Sequence, residues 1–559
     1  MGIASERTKR EIGFTDVLSK LRPLTPFGKK RVFDIRAFLP GEETVLESEF
    51  DNLQRLCDVL VSHESDAARI AEEFREIKDI SHSVMRSAAE TLSAVELFEV
   101  KALLLRMETL KGICESIGQD MPARFVPLDV SGLLSALDPD GGRIPVFYIY
   151  DIFSERLAEL RKRKKEKERS IGAERKRLAG ETLANSGIAL TPKYEANIAR
   201  SDEAAMEAAK SAPYLRAAEE DIFSVRFVLA TSEKERALTA ETDALSSEAE
   251  AEEENVRKRL TDAVAAEIER ILENCERIGR LDFLMAKATH ALENVCVRPA
   301  ISQAHALRIE EGRHLPTERA LRERGISYQP VSIELAEGVS CVTGANMGGK
   351  TVLMKLAGLV AAMAGHGMFV PCASATLGLS SYVGILIGDG QDSDKGLSSF
   401  GGEMDGLNAM LSESHERALL LIDEIASATN PSEGRALTKG LIAYLSDKPY
   451  ITLITTHFDH VAGGADIVNY QVRGLSGADL GELASALTGA GSDERLKAIA
   501  ALMDYRLDQV SREQETPKDA LRIAEILGIN KEILDLARGF ADAEKPGLPE
   551  RNQNEQTES

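Results

Sequence analysis

The 559-residue sequence contains no tryptophan, and aromatic residues make up only 5% of it. No run of about eighteen apolar residues occurs, so the sequence predicts no membrane-spanning helix. No secretory signal is recognisable. Lys and Arg total 68 against 91 Asp and Glu, which gives a net charge of −23. This balance argues against a surface that binds polyanions throughout, because phosphate contacts need concentrated cations. We therefore expect a cytoplasmic protein in which any nucleic-acid contact is confined to a local patch.

Cysteine is also scarce, and none of the six cysteines forms a Cys-x-x-Cys pair. We predict reduced, mostly buried thiols rather than disulfides or zinc ligands. A hydrophobic content of 43% with 28% charged residues is typical of a helix-rich globular chain, and the length suffices for about three domains.

A glycine-rich stretch between a predicted strand and a predicted helix carries the strongest functional signal. Gly344-x4-Gly349-Lys350-Thr351 follows the strand-like segment 339–342. Glycines at such a turn let backbone N–H groups face phosphate oxygens at a helix N-terminus. We predict that Lys350 contacts the β- and γ-phosphates of ATP and that Thr351 ligates Mg²⁺. The candidate nucleotide-binding residues are Gly344, Ala345, Asn346, Met347, Gly348, Gly349, Lys350 and Thr351.

Two further apolar segments end in polar residues that suit phosphate hydrolysis. Residues 418–422 form an unbroken apolar run, typical of a parallel strand buried on both faces, and Asp423 and Glu424 follow it. At that edge of an open α/β sheet, Asp423 would hold Mg²⁺ through water and Glu424 would polarise the attacking water. A third predicted strand, 450–454, precedes His457, which could hydrogen-bond the γ-phosphate.

These blocks resemble the MutS family of DNA mismatch-repair ATPases. TGANMGGKT at 343–351 is similar to the family's TGPNMGGKS/T, with Ala345 in place of proline. LLIDEI at 420–425, then Thr429 and Gly434, then TTHFD at 455–459 resemble the family's hydrolysis segment. The resemblance implies ATP and Mg²⁺ as cofactors and a homodimer that forms through the ATPase domain.

A second loop resembles a family feature that acts between subunits. GLSSFGGEM at 396–404 is similar to the family's Ser-x-Phe loop, which implies that Ser398 and Ser399 reach the γ-phosphate held by the other subunit. The chain departs from the family at Ala426 and Ala428, where glycine is usual. Because alanine adopts positive φ poorly, we expect a stiffer loop beside the nucleotide and a turnover rate that the family does not predict.

Upstream of the ATPase region, helical patterns predominate. Apolar residues recur at three- and four-residue spacings over 46–60, 70–77 and 97–110. LTPFG at 24–28 resembles the entry to the family's core, which leaves no room ahead of it for the mismatch-reading modules. The chain therefore looks more like the second bacterial MutS subfamily, without that subfamily's C-terminal nuclease-like domain.

The stretch from Arg156 to Arg177 has eleven basic and four acidic residues. One interpretation is a solvated face of a coiled coil, and the other is a contact to DNA phosphates. Seven acids and no base occupy 241–254 on the predicted return limb, so the positive charge could be neutralised internally. The candidate nucleic-acid contacts are Arg161, Lys162, Arg163, Lys164 and Lys165.

The predicted fold class is an α/β P-loop NTPase domain of the ABC/MutS type, joined to a mainly α-helical core/lever domain with a long antiparallel coiled-coil clamp. The predicted divisions are a polar lead at 1–13, a helical core/lever at 14–155, a coiled-coil lever and clamp at 156–280, a return to the core at 281–325, the ATPase domain with a C-terminal helix pair at 326–544, and a disordered tail at 545–559.

We predict a homodimeric, Mg²⁺-dependent ATPase that does not read mismatches. One hypothesis is a clamp that binds branched or recombination-intermediate DNA. The alternative is a protein-remodelling ATPase with a protein client, such as a reactivating factor of a cobalamin-dependent aminomutase, which the net charge of −23 favours. A structural dimer with degraded hydrolysis is a third hypothesis, motivated by Ala426 and Ala428.

Overall fold

A computed structural model describes residues 3–344, 349–388, 399–412, 415–427, 429–458, 461, 467–474, 503–510 and 520–543. Within these ranges, no helix combines the length and the apolar character needed to cross a bilayer. The described chain forms two compact units. The first contains residues 1–75, 115–125 and 278–559, and the second contains 76–114 and 126–277.

The helices in chain order are α1 Glu6–Glu11, α2 Phe14–Lys20, α3 Pro26–Phe33, α4 Glu43–Ser62, α5 Glu64–Glu76, α6 Ser81–Arg86, α7 Ala94–Ile117, α8 Ser131–Leu137, α9 Glu155–Ser186, α10 Glu203–Ser211, α11 Glu233–Ala265, α12 Ile268–Glu293, α13 Leu315–Glu323, α14 Lys350–Gly365, α15 Ser399–Leu411, α16 Pro431–Ser446, α17 Ala520–Ile526 and α18 Lys531–Ala543.

The strands are β1 Glu195–Ala199, β2 Leu215–Glu220, β3 Ser224–Leu229, β4 Ala300–Ser302, β5 Ala306–Gly312, β6 Val331–Ala336, β7 Gly338–Thr343, β8 Ser374–Gly378, β9 Tyr382–Ile387, β10 Ala418–Asp423, β11 Tyr450–Thr455, β12 Val468–Gly474 and β13 Asp504–Gln509. The strands predicted at 339–342, 418–422 and 450–454 are therefore confirmed.

The first unit is built on a six-stranded sheet with the order β13-β12-β7-β11-β10-β9. All neighbouring strands run parallel except β13, which is antiparallel to β12. Every residue of β10 is buried. Leu419 and Leu421 pack in the apolar core that contains α14, whereas Leu420 and Ile422 pack in a second core with residues of α16. A strand covered on both faces explains the unbroken apolar run in the sequence.

The N-terminal segment belongs to the core of the first unit, and its prediction as a polar lead at 1–13 was wrong. Ile3 and Ile12 are 2% and 0% exposed. The backbone N–H of Val383 donates to the carbonyl oxygen of Ile3 at 2.7 Å. A Cβ added at Gly358 of α14 would lie 2.6 Å from Ile12 Cγ2. Two isolated apolar anchors among charged residues give no periodic signal, so the sequence could not show this packing.

The second unit contains two long helices that pack side by side. Arg161 and Arg175 of α9 pair with Glu253 and Glu235 of α11, and the reversed order of these partners shows that the two helices are antiparallel. The acidic section of α11 therefore lies beside the basic stretch of α9. This observation confirms the pairing that the sequence left open.

A small module joins the two long helices. Gly187, with φ of 69°, ends α9. The module has the three-stranded sheet β1-β3-β2 and the helix α10. Ser232 then caps α11, where its hydroxyl oxygen accepts the N–H of Glu235 at 3.0 Å. The return helix α11 thus begins at Glu233, after the strand β3.

Two boundaries differ from the predicted divisions. The predicted core at 14–155 is shared between the two units, since α7 runs from the second unit into the first at residues 114–115. The predicted return limb to residue 280 is two helices, and α12 continues to Glu293. All six cysteines are unpaired, and five of them are buried. Burial raises the pKa of the Cys341 thiol to about 12, which fits a core residue of β7.

Candidate nucleotide-binding site

The predicted phosphate-binding turn lies between β7 and α14. Gly349 has φ of 75° and precedes α14, whose first residue is Lys350. A Cβ on Gly349 would stand 2.8 Å from the Tyr505 ring, so both conformation and space require glycine there. Gly344 has φ of 149° and closes the other side of the turn. Four predicted site residues lie outside the described ranges, namely Ala345, Asn346, Met347 and Gly348.

Lys350 contacts both the turn and the predicted general base. Its Nζ donates to the carbonyl oxygen of Gly344 at 2.8 Å and lies 2.9 Å from Glu424 Oε1. The Lys350 side chain is 4% exposed, so this ion pair is shielded from water on the lysine side. An anion that enters the turn must therefore compete with Glu424 for the ammonium group.

Thr351 and Asp423 form a pair of oxygen donors beside this lysine. The Thr351 hydroxyl donates to Asp423 Oδ2 at 2.6 Å, and the Thr455 hydroxyl donates to Asp423 Oδ1. Asp423 is the last residue of β10, at the carboxyl edge of the parallel sheet. A hydroxyl and a carboxylate are the hard oxygen ligands that Mg²⁺ prefers, so the donor set fits the predicted ion.

The loop that follows β10 carries two non-glycine residues with positive φ. Glu424 has φ of 45° and Ala426 has φ of 59°. The N–H of Glu424 donates to the carbonyl and hydroxyl oxygens of Thr455, both at 3.1 Å. Alanine in this region is strained, because its Cβ approaches the backbone. The departure from glycine at Ala426 therefore has a conformational cost, and Ala428 lies outside the described residues.

Glu403 is a site residue to which sequence reasoning assigned no role. It is 8% exposed, and its Oε2 accepts the N–H of Ala426 at 3.0 Å. Burial raises the pKa of the Glu403 carboxyl, an effect that the N–H of Ala426 partly opposes. The Glu403 carboxyl thus holds the strained loop in place through the backbone of Ala426.

No described contact joins His457 to this cluster, and most of the serine loop lies outside the described residues. The His457 ring is exposed and packs against the Phe458 ring with centroids 4.3 Å apart. Among the described residues, no hydrogen-bond partner is found for the His457 side chain. Ser398 lies outside the described ranges, and Ser399 is the first residue of α15.

A cavity of about 480 Å³ opens next to Lys350 and Thr351. Its wall includes Tyr328, Gln329 and Tyr505. Gln329 fixes the Tyr505 backbone, because its Oε1 accepts the Tyr505 N–H at 2.9 Å. An aromatic wall with apolar neighbours can stack on a flat heterocycle. The sequence did not indicate this wall, since Tyr505 lies in β13, about 150 residues after the phosphate-binding turn.

His314 is buried and contacts the N-terminal segment. Its Nε2 lies 3.1 Å from the Ile12 carbonyl oxygen, and its Nδ1 lies 2.7 Å from the Thr317 hydroxyl. Burial lowers the pKa of His314 to about 4, so the imidazole is neutral at pH 7. These contacts indicate a structural role.

The five candidate nucleic-acid contacts of α9 differ in their surroundings. Arg161 pairs with Asp151 at 2.6 Å and with Glu253 at 2.7 Å, and it also donates to the carbonyl oxygen of Ile149. It is thus engaged within the second unit. Among the described ion pairs, none includes the remaining four cations. These are Lys162, Arg163, Lys164 and Lys165.

Replacing Ala426 with glycine is expected to relieve the strain in the loop. Because glycine adopts positive φ freely, Ala426→Gly should raise the free energy of unfolding by about 1 kcal/mol. The matched control is Ala436→Gly, an exposed position within α16, which should lower it by about 1 kcal/mol. Thermal unfolding of both full-length variants measures the difference. Equal losses of stability would show that Ala426 is not strained.

Comparison with known proteins places this site in a defined domain type. Residues 340–475, which include the turn, Asp423, Glu424 and His457, match the model of MutS domain V. A protein of Shouchella clausii named Endonuclease MutS2 is 32% identical over 217 residues, which are 38% of this chain and 27% of the relative. Proteins of the same name from Fusobacterium nucleatum and Carboxydothermus hydrogenoformans are similar over longer stretches. The former is 29% identical over 314 residues, 55% of this chain and 37% of the relative. The latter is 30% identical over 293 residues, 52% of this chain and 34% of the relative.

The chain spans about a quarter to a third of the length of these curated relatives. The matched domain contains the strands β7, β10 and β11 and the polar groups that end them. The sequence similarity and the arrangement of the site therefore agree. Residues 340–475 thus match MutS domain V, and the chain is similar over a third to a half of its length to proteins named Endonuclease MutS2.

Proposed function

We propose that this chain is a Mg²⁺-dependent ATPase that converts ATP and water to ADP and phosphate. The observation that carries the proposal is the contact of Lys350 with Glu424 next to the Thr351–Asp423 pair, at the carboxyl edge of the parallel sheet. Parallel sheets bind nucleotides at this edge. The adjoining cavity supplies an aromatic wall of suitable size for the base.

In the proposed reaction, each side chain has one task. Thr351 and Asp423 would hold Mg²⁺, and the ion would neutralise part of the phosphate charge. Lys350 leaves Glu424 and donates to the β- and γ-phosphates, which are the stronger anion. Glu424, released from its ion pair, accepts a proton from the attacking water. Glu403 keeps the loop of Glu424 in place through the N–H of Ala426.

His457 and the serine loop complete the proposal. His457 is exposed at the carboxyl edge of β11, where it would hydrogen-bond the γ-phosphate. Ser398 and Ser399 would reach the nucleotide held by the other copy in a homodimer, as the family resemblance implies. Each nucleotide would then be enclosed by two subunits.

Removing the general base should separate binding from hydrolysis. Glu424→Gln keeps the size of the side chain but cannot take a proton, so turnover should fall by about 10²–10⁴-fold. Affinity for ATP should change little or increase, because Lys350 loses a competing anion. Steady-state hydrolysis and equilibrium binding of a fluorescent ATP analogue measure the two effects. Glu433→Gln, an exposed acid in the first turn of α16, is the control. An undiminished rate in Glu424→Gln would refute the assigned role.

We also propose that α18 contributes to the dimer. Ile533, Leu536 and Phe540 lie on one face of this helix and are 58%, 64% and 71% exposed. Large apolar side chains aligned on one helical face are unfavourable in water, so a covering surface is expected. A second copy is the occupant that the family resemblance favours. An isologous contact would pair the same face of both copies.

Charged residues on that face should dissociate the dimer. The double variant Leu536→Glu/Phe540→Glu is expected to elute with half the molar mass of the unmodified protein in light-scattering chromatography. Its ATP turnover should also fall if serines act between subunits. Lys531→Glu, an exposed change at the start of α18, serves as the matched charge control. A monomeric unmodified protein with full ATPase activity would exclude the composite site.

The proposed client is DNA, in particular branched or recombination-intermediate DNA. The relatives are named endonucleases, which supports a nucleic-acid client, whereas nothing in the comparisons supports the protein-remodelling alternative. The paired helices α9 and α11 would act as the clamp. Within them, the cations from Lys162 to Lys165 are the candidates for phosphate contacts, because Arg161 is already paired.

The salt dependence of binding distinguishes free cations from paired ones. If Lys162 and Lys165 each contact a phosphate, Lys162→Ala/Lys165→Ala should reduce the slope of log affinity against log salt by roughly 1.8. Arg175→Ala, which removes a cation already paired with Glu235 at 2.6 Å, should leave the slope unchanged. Titrations with a four-way junction and with linear duplex at several salt concentrations provide the slopes. Absence of binding to either DNA by the unmodified chain would contradict the DNA client.

A further inference from the structure

A buried lysine lies at the opposite end of the helix that begins at the nucleotide site. Lys287 of α12 is 3% exposed. Its Nζ donates to the carbonyl oxygens of His366 at 2.9 Å and Gly367 at 3.2 Å, immediately after the last residue of α14. Carbonyl groups at a helix C-terminus carry partial negative charge and attract cations. Lys287 therefore caps α14 from a neighbouring helix.

The ammonium group has few other sources of compensation. Among the described ion pairs none includes Lys287, and the nearby acid Glu49 is engaged with Arg124 and Arg280, each at 3.5 Å. The Phe283 ring, one turn earlier on α12, lies 4.6 Å from Nζ. Burial lowers the pKa of Lys287 to about 8, which shows how poorly water reaches it. The carbonyl groups at the end of α14 and the Phe283 ring therefore stabilise the positive charge of Lys287.

This arrangement makes separation of the two helices costly. If the end of α14 moved away from α12, Lys287 would keep a buried positive charge without its two acceptors. The two helices are thus fixed to each other at this point more firmly than apolar packing alone would fix them. A displacement of α14 along its axis would be passed on to α12.

The two helices connect different parts of the chain. α14 begins with Lys350 and Thr351, whereas α12 continues back to Ile268 and belongs to the second unit up to Arg277. We propose that Lys287 is a positioning residue that transmits nucleotide binding at the start of α14 to α12. This inference rests on the proposed binding of ATP at residues 344–351.

A purely structural cap would not produce the same effect. The Phe38 N–H also donates to the end of α14, at the Gly365 carbonyl oxygen, with a distance of 2.7 Å. That contact joins α14 to the N-terminal part of the chain and not to α12. Loss of Lys287 should therefore leave α14 in place, but a displacement of α14 should no longer be passed on to α12. The two roles predict different responses to nucleotide.

Hydrogen exchange with and without a nucleotide tests the transmission. In the unmodified full-length protein, ATPγS with Mg²⁺ should change amide exchange in peptides covering 268–277 on the order of fivefold or more. In Lys287→Met, which keeps the aliphatic stem, ATPγS should still bind, but this change should disappear. Phe283→Leu, which removes only the ring beneath the ammonium, should reduce the change without abolishing it. This milder variant serves if Lys287→Met fails to fold.

The matched control is a second buried lysine that has no contact with α14. Lys101 is 3% exposed and pairs with Asp138 at 2.7 Å within the second unit. Lys101→Met should keep the response of 268–277 to ATPγS. A response that survives in Lys287→Met, or one that is absent from the unmodified protein although ATPγS binds, would overturn the role of Lys287 and leave the ATPase proposal intact. Failure of ATPγS to bind the unmodified protein would overturn both.

Discussion

The register of the parallel sheet is the constraint on which the site depends. Asp423 of β10 lies opposite Thr455 of β11, and Thr455 lies opposite Val342 of β7. Three strands therefore end at the same edge, one with an acid, one with a hydroxyl and one with the glycine turn. A shift by one residue would turn Asp423 toward the opposite face and break its contact with Thr351. Buried and mostly apolar strands hold this register.

Much of this arrangement was predictable, because the residues that form it are close in sequence to strong local signals. Apolar runs identified β10 and β11, and the polar residues that end them identified the edge. Glu403 and Tyr505 were not predictable as site residues, since they reach the site through tertiary contacts that no periodicity reveals. The packing of Ile3 and Ile12 was missed for the same reason. The candidate nucleic-acid contacts show a further limit of sequence-based prediction. Composition cannot distinguish Arg161, which is paired with Asp151 and Glu253, from the neighbouring cations.

The site and the far end of α14 combine groups that would otherwise be unfavourable. Lys350 and Glu403 at the site and Lys287 at the end of α14 are all buried, and each is compensated by a backbone group or an opposite charge. Glu424 and Ala426 hold positive φ without glycine. Buried charges and strained loops of this kind are common where a protein binds and acts on a ligand. The surrounding sheet, which is closely packed, supplies the stability that allows them.

The length of the paired helices has a mechanical consequence. With 32 residues, α9 extends about 48 Å at 1.5 Å per residue. A tilt of about five degrees at its base would displace the small module at its far end by roughly 4 Å, a little under one turn of helix. Shifts at the base that are too small to disturb side-chain packing thus become movements as large as an amino acid at the far end. For a given tilt at the base, the displacement at the far end is therefore proportional to the length of the helices.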